Sequence, residues 1–136
     1  MSAPNAPCPC GTGRKYKKCC RPFHYGQQPA HAEQLMRARY TAYAAGEIDY
    51  ILATTHPSSP HFKHNTAAWR AEVRHFSLQT TFQSLTVHQT TEDGDRARVR
   101  FFATLKQGTR DASFGEESDF VRVDGRWLYV HGTATQ

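Results

Sequence analysis

The chain has 136 residues, 38% of them hydrophobic and 12% aromatic, which suffices for one modest core and a small appendage. No apolar run approaches the roughly 20 residues that cross a bilayer, so a membrane-spanning helix is excluded. The net charge of +5 is local: residues 1–21 hold Arg14, Lys15, Lys17, Lys18 and Arg21 with no acid, while the rest of the chain balances 12 basic against 12 acidic residues.

The opening MSAPNAP has neither a basic n-region nor an apolar h-region, which predicts a cytoplasmic chain with reduced thiols. All four cysteines follow at once, in CPCGTGRKYKKCC, residues 8–20. Closing either close pair, Cys8 with Cys10 or Cys19 with Cys20, would strain a disulfide, although two crossed bridges remain open. Tetrahedral zinc needs four thiolates converging from two short segments, and the Cys-Pro-Cys turn and the Cys19-Cys20 pair supply two each. Gly11 and Gly13 suit a tight loop that aims amides at the sulfurs, and Pro7 and Pro9 stiffen it. The stretch resembles the SEC-C metal-binding motif, which implies one structural zinc on Cys8, Cys10, Cys19 and Cys20, with Thr12 where the motif usually has Ser. His24, the spare candidate, is then expected to be a solvated loop residue. The surrounding cations have two readings: a basic patch (Arg14, Lys15, Lys17, Lys18, Arg21) for a ribosome, nucleic acid or acidic protein, or a counter-charge for a zinc-tetrathiolate cluster of charge minus two.

Residues 21–30, RPFHYGQQPA, read as the link between knuckle and main domain, with Phe23 and Tyr25 as packing residues or base-stacking aromatics. From Ala32 to Ala45, Ala32, Leu35, Met36, Tyr40 and Tyr43 share one helical face, and Gly46 is a natural stop. Arg39 falls inside that stripe, where a guanidinium needs a partner, and Arg37 points the other way. Glu47–Thr54 reads as a second helix with Ile48, Ile51 and Leu52 inward, ended by His56-Pro57. After the loop PSSPHFKH, Asn65 is the predicted N-cap of a third helix carrying Trp69, Val73 and Phe76 at i, i+4 and i+7.

The period then changes to two. A strand over about Phe82–Thr90 would put Leu85, Val87 and Gln89 on one side, and Glu92-Asp93-Gly94-Asp95 is a hairpin signal. Ala97, Val99, Phe101, Ala103 and Leu105 alternate on the next strand, Phe114, Glu116, Ser118 and Phe120 on the third, and Trp127, Tyr129 and His131 on the fourth. Three helices followed by about four antiparallel strands predict an α+β layer with the helices on one sheet face.

LMRARYTAYAAGEIDYILATTHPS (35–58), GEESDF (115–120) and DGRWLYVHG (124–132) together resemble the YchJ-like family of small bacterial proteins. The resemblance implies a SEC-C knuckle, residues 1–26, joined to a cone-shaped domain like nuclear transport factor 2 (cystatin-like), residues 27–136, in which a curved sheet wraps a helix and leaves a pocket. The sequence departs from the pattern at Thr55, where Trp is usual, at Gly115, where His often precedes the Glu, and at His131, where Asp is common. Expected pocket residues are Arg39, Tyr40, Tyr43, His56, Trp69, Phe101, Glu116, Ser118, Phe120 and Tyr129, around a small-molecule ligand or simply as core. Two function classes follow. One is a zinc-stapled binding or adaptor module whose basic knuckle docks a macromolecule. The other is an enzyme of proton transfer or hydrolysis with catalytic candidates His56, Glu116 and Tyr40. His61, His64, His75 and His88 are read as surface residues. The sharpest structural expectation is a buried ion pair between Arg39 and Glu116, two inward charges on facing elements.

Overall fold

The computed structural model describes residues 3–135; Met1, Ser2 and Gln136, at the ends of the two expected segments, lie outside it. Helix α1 (Arg21–His24) follows the cysteine loop, and α2 (Ala32–Ala45), α3 (Ile48–Ala53) and α4 (Thr66–Gln79) follow in turn. Among the described residues five strands follow: β1 (Thr81–Asp93), β2 (Arg96–Gln107), the two-residue β3 (Arg110–Asp111), β4 (Phe114–Val123) and β5 (Arg126–Thr135). The sheet is antiparallel in the order β1-β2-β4-β5, with β3 paired to β2. Among the described residues no helix is long and apolar enough to cross a membrane.

Helix α2 is the axis of the fold, and its residues explain why. Gln34 accepts from the backbone of Ala30 and His31 at its start, and the carboxylate of Glu92, reaching from β1, accepts from Ala32 N at 3.0 Å, where the helix dipole favours an anion. Gly46 ends it at φ 76°, a left-handed cap that costs glycine nothing. The Leu35, Met36 and Tyr40 stripe is buried as the periodicity predicts, but so are Ala38, Thr41, Ala42 and Ala45. A second face of small residues is therefore covered as well. Asn65 caps α4 through its side chain, accepting from Ala68 N at 3.0 Å.

All five alternating residues of β2 are buried, while Arg96, Arg98, Arg100 and Lys106 face solvent. In β1 the alternation breaks twice, with register shifts at Phe82/Ser84 and Val87/Gln89. Each extra residue reverses which parity faces inward. Leu85 is consequently buried and Gln89 exposed, and Thr90 takes the inward side, where it donates to Glu33 at 3.2 Å. A third shift in β5 corrects another expectation. Phe120 pairs with Tyr129 but Asp119 with His131, so Val130 is the extra residue, and His131 turns outward to the Asp119 carboxylate at 3.2 Å instead of sharing the face of Trp127 and Tyr129.

Residues 21–30 are more structured than a link, since they include α1 and their His24 is half-buried. The knuckle has no core of its own: Cys8, Cys10, Cys19, Cys20 and Tyr16 belong to the same buried cluster as Leu35, Met36, Tyr40, Leu85 and Trp127.

Candidate metal centre and cone cavity

The cysteine loop closes on itself through backbone bonds. Cys8 N donates to Arg14 O at 2.8 Å, Gly11 N donates to Cys8 O at 3.2 Å, and Pro7 bridges Lys15. Gly11 sits at φ 86° with Leu85 O only 3.1 Å from where a Cβ would stand, so both its conformation and its contact with β1 exclude a side chain. A turn of 3-10 helix, Tyr16–Lys18, then delivers Cys19 and Cys20. The four Sγ atoms lie within 4.8 Å of one another and all four residues are buried. A tetrahedral metal with bonds of about 2.3 Å sets sulfurs roughly 3.8 Å apart, and Cys10 and Cys19 stand at 3.6 Å.

The surroundings fit a cation too. Burial pushes the Cys19 thiol up to about 11, and Cys20 is held high by its hydrogen bonds to Cys10 and Cys8, whereas those from Cys10 and Cys20 pull Cys8 down. Burial and mutual repulsion thus oppose joint ionisation of thiols left alone, and a cation held among them would remove that opposition. Hydroxyls support the sulfurs, Thr12 Oγ1 at 3.1 Å from Cys19 and Thr41 Oγ1 at 3.5 Å from Cys8. Thr41 lies on α2, which ties the cluster to the main domain, and Arg37 Nη1 donates to Cys10 O at 2.6 Å. Thr41 did not stand out in the sequence, and Arg37 did so only as pointing away from the apolar stripe. The readable signal was the small-residue face Ala38-Thr41-Ala45 beside an arginine on the far side of the helix.

His24 is not a solvated loop residue. Tyr16 Oη and His24 Nδ1 are 2.8 Å apart, and His24 Nε2 lies 2.8 Å from Ala38 O. A carbonyl only accepts, so Nε2 carries the proton and Nδ1 accepts from the tyrosine. Burial lowers the affinity of this ring for a second proton.

Between α2, α4 and the inner sheet face lies a cavity of about 530 Å³. Arg39, Tyr40, Tyr43, Trp69, Phe101, Glu116, Ser118, Phe120 and Tyr129 line it. His56 does not: its Nδ1 accepts from the backbone and hydroxyl of Ser58 at 3.0 and 2.8 Å, and its backbone N donates to Tyr129 O. Of the histidines read as surface residues, all four are exposed, and His61 forms part of the cavity rim. Arg39 is 9% exposed, yet no ion pair with Glu116 exists among the described residues. Its Nη1 donates instead to Thr54 Oγ1 at 2.7 Å and to Thr55 Oγ1 and Ile51 O at 3.1 Å, and its guanidinium carbon stands 4.6 Å from the centre of the Tyr129 ring. The end of α3 presents a ready set of oxygens, which is why the guanidinium turns there. Glu116 accepts from Ser118 Oγ at 2.5 Å. Burial, with the Glu116 charge second, pushes the Tyr129 hydroxyl up. Tyr40 is 6% exposed, is pushed up to about 12 by burial, and its hydroxyl has no hydrogen-bond partner.

The family described as YchJ, middle NTF2-like domain, matches residues 31–132, and the SEC-C motif matches residues 5–22. The chain belongs to the YchJ-like family. A UPF0225 protein of Ralstonia nicotianae is 43% identical over 98% of this chain and 94% of its own length. Among solved structures, a SEC-C motif containing protein from Rhodopseudomonas palustris superposes with a TM-score of 0.83 at 34% identity, covering 96% of this chain and 100% of that one. Another, from Psychrobacter arcticus, gives 0.76 at 25% identity over 99% and 85%. In this YchJ-like chain the cations beside the SEC-C cysteines, Arg14, Lys15, Lys17, Lys18 and Arg21, are all exposed, and none forms an ion pair among the described residues. Arg21 lies over the ring of Tyr25, 5.3 Å from its centre, and Tyr25 is 67% exposed.

Proposed function

We propose that this chain is a cytoplasmic, zinc-stapled binding protein, with a SEC-C knuckle over residues 1–26 that docks an anionic macromolecule and a cone over residues 27–136 that is a binding cavity. The observation that carries the reading is the saturation of the cluster. Four buried sulfurs within 4.8 Å of one another are enough to fill a tetrahedral coordination sphere, so a metal there keeps no open position for a substrate and serves structure. Borderline-soft zinc with closed tetrahedral coordination is the divalent ion that four thiolates suit best.

The exposed cations around the cluster are then free to meet a partner. An unpaired basic rim beside an exposed tyrosine favours nucleic acid, whose phosphates meet the lysines and whose bases stack on the ring. The enzyme reading has less behind it. Of its three candidates, Glu116 and Tyr40 share the cavity wall, while His56 is engaged with Ser58 outside it.

Replacing Lys15, Lys17 and Lys18 with Gln should abolish retention on single-stranded nucleic acid at low salt while leaving one zinc per chain by elemental analysis. Retention of ribosomes or of an acidic protein with no binding to free nucleic acid would reassign the partner. An unchanged binding profile would leave those cations only the role of stabilising the cluster. Cys19→Ser and Cys20→Ser should each lose the metal, and full zinc content in both would sink the ligand assignment.

A further inference from the structure

The cone cavity holds two opposite charges that do not meet. Arg39 is 9% exposed and has oxygen acceptors and an aromatic face around it but no carboxylate within ion-pair distance. Glu116 faces the same space, accepts from Ser118 Oγ, and has no cation among the described residues. A buried charge without a counter-ion is costly, and Arg39 together with the half-buried Glu116 in one cavity is best relieved by a guest that carries both complements. Apart from Thr55, His61 and the Lys63–Glu72 pair, which satisfies itself at 2.8 Å, the rest of the wall is aromatic and apolar, chiefly Tyr43, Trp69, Phe76 and Phe82, and about 530 Å³ lies within the range of small-molecule sites.

The sheet has also made room for the carboxylate. The extra residue at Val130 brings Gly132 opposite Ser118 in β4, and a Cβ on Gly132 would collide with the carboxyl group of Glu116. Only glycine lets Glu116 lie there.

We propose that the cavity is a site for a small zwitterion of the α-amino-acid type with a flat apolar body, its carboxylate on Arg39, its ammonium on Glu116 and its body among the aromatic side chains. This rests on the reading of the cone as a binding cavity. A neutral apolar ligand would leave both charges bare, and an ion of one sign would answer only one of them.

Titration calorimetry on the zinc-loaded full chain with L-tryptophan, tryptamine and indole-3-propionate isolates the head group, because the three share one body. Tryptophan should bind at least about tenfold tighter than either analogue, since each lacks one charge-assisted contact. Glu116→Gln keeps the shape, so it should weaken tryptophan and tryptamine by about tenfold and leave indole-3-propionate unchanged. Arg39→Met should do the reverse, weakening tryptophan and indole-3-propionate. If that variant does not fold, the wild-type order and the Glu116→Gln arm decide alone. Absence of heat with all three compounds would overturn the proposal together with the binding-cavity reading. Binding in which either singly charged analogue matches tryptophan would overturn the zwitterion assignment and leave the cavity reading standing.

Discussion

At the scale of single residues, Arg39 shows how a charge inside an apolar stripe is accommodated without a counter-ion. Its spacing along α2 announces the burial, but its partners are the carbonyl and hydroxyls at the end of α3, which no periodicity could disclose because they depend on how the two helices dock. Hydrogen bonds to a charged group are worth about 1.5–3 kcal/mol each, and removing acceptors leaves the guanidinium buried. Thr54→Val with Thr55→Val should therefore lower the unfolding free energy by about 3 kcal/mol in urea titrations. Glu116→Gln should move it by less than about 1 kcal/mol. A loss of about 3–5 kcal/mol from Glu116→Gln is what a buried ion pair would give, and it would restore that pair. His24 adds a pH dependence whose sign follows from its surroundings. Burial holds the native ring below its ordinary value of about 6.5, so the unfolded chain binds more protons as the pH falls. Its contribution is complete above about pH 6.5 and is lost as the pH drops through the native value. Nitrogen-15 spectra of the ring should show the Nε2–H tautomer persisting below pH 6.5, and an ordinary titration there would contradict the buried contact with Ala38 O.

Among elements, legibility divides along the difference between local and paired structure. Helix α2, its glycine stop and the Asn65 cap of α4 depend on neighbours in sequence, and they stand where the periodicity puts them. The alternation of β2 is equally plain, because that strand carries no extra residue of its own and buries one face. The three register shifts are different. An extra residue is defined by the strand opposite it, so nothing within LYVHG marks Val130 as the one that steps aside. For this reason Glu116 could be placed on the inner face while its glycine neighbour could not. The two are coupled, and Gly132→Ala tests it. Both the Cγ and the carboxyl carbon of Glu116 occupy the space that a Cβ at position 132 would need, so the whole side chain must leave or β5 must bend. The expected cost is about 1–3 kcal/mol, as for other overpacked sites. In a Glu116→Ala background the same substitution should cost much less. Equal costs in both backgrounds would show that the space at Gly132 serves something else.

For the whole molecule, the decisive fact is that the cysteines share a core with the domain they precede. Cys8 touches Thr41 of α2, Gly11 rests on Leu85 O of β1, Arg37 holds the Cys10 carbonyl, and His24 binds Ala38 O. The small-residue face of α2 that receives the knuckle would be bare without it. A knuckle on a tether would behave differently: its metal could leave and the cone would melt as before. The binding free energy of a metal held by these four cysteines would be coupled to the folding of the whole chain, because Thr41 of α2 and Leu85 of β1 pack directly on the site. Chelation should accordingly lower the melting temperature of the entire protein by more than about 5 °C, as a loss above roughly 1–2 kcal/mol does for a domain of this size. Trp127 lies in the cluster that contains the cysteines and Trp69 in the second cluster beneath α4, so fluorescence of single-tryptophan variants reports the two regions separately. Both emissions and the far-ultraviolet dichroism should shift along one transition as chelator is raised. If the Trp69 signal and the sheet instead melt at an unchanged temperature after the metal is gone, the knuckle is an independent unit and the shared core contributes little to holding the fold.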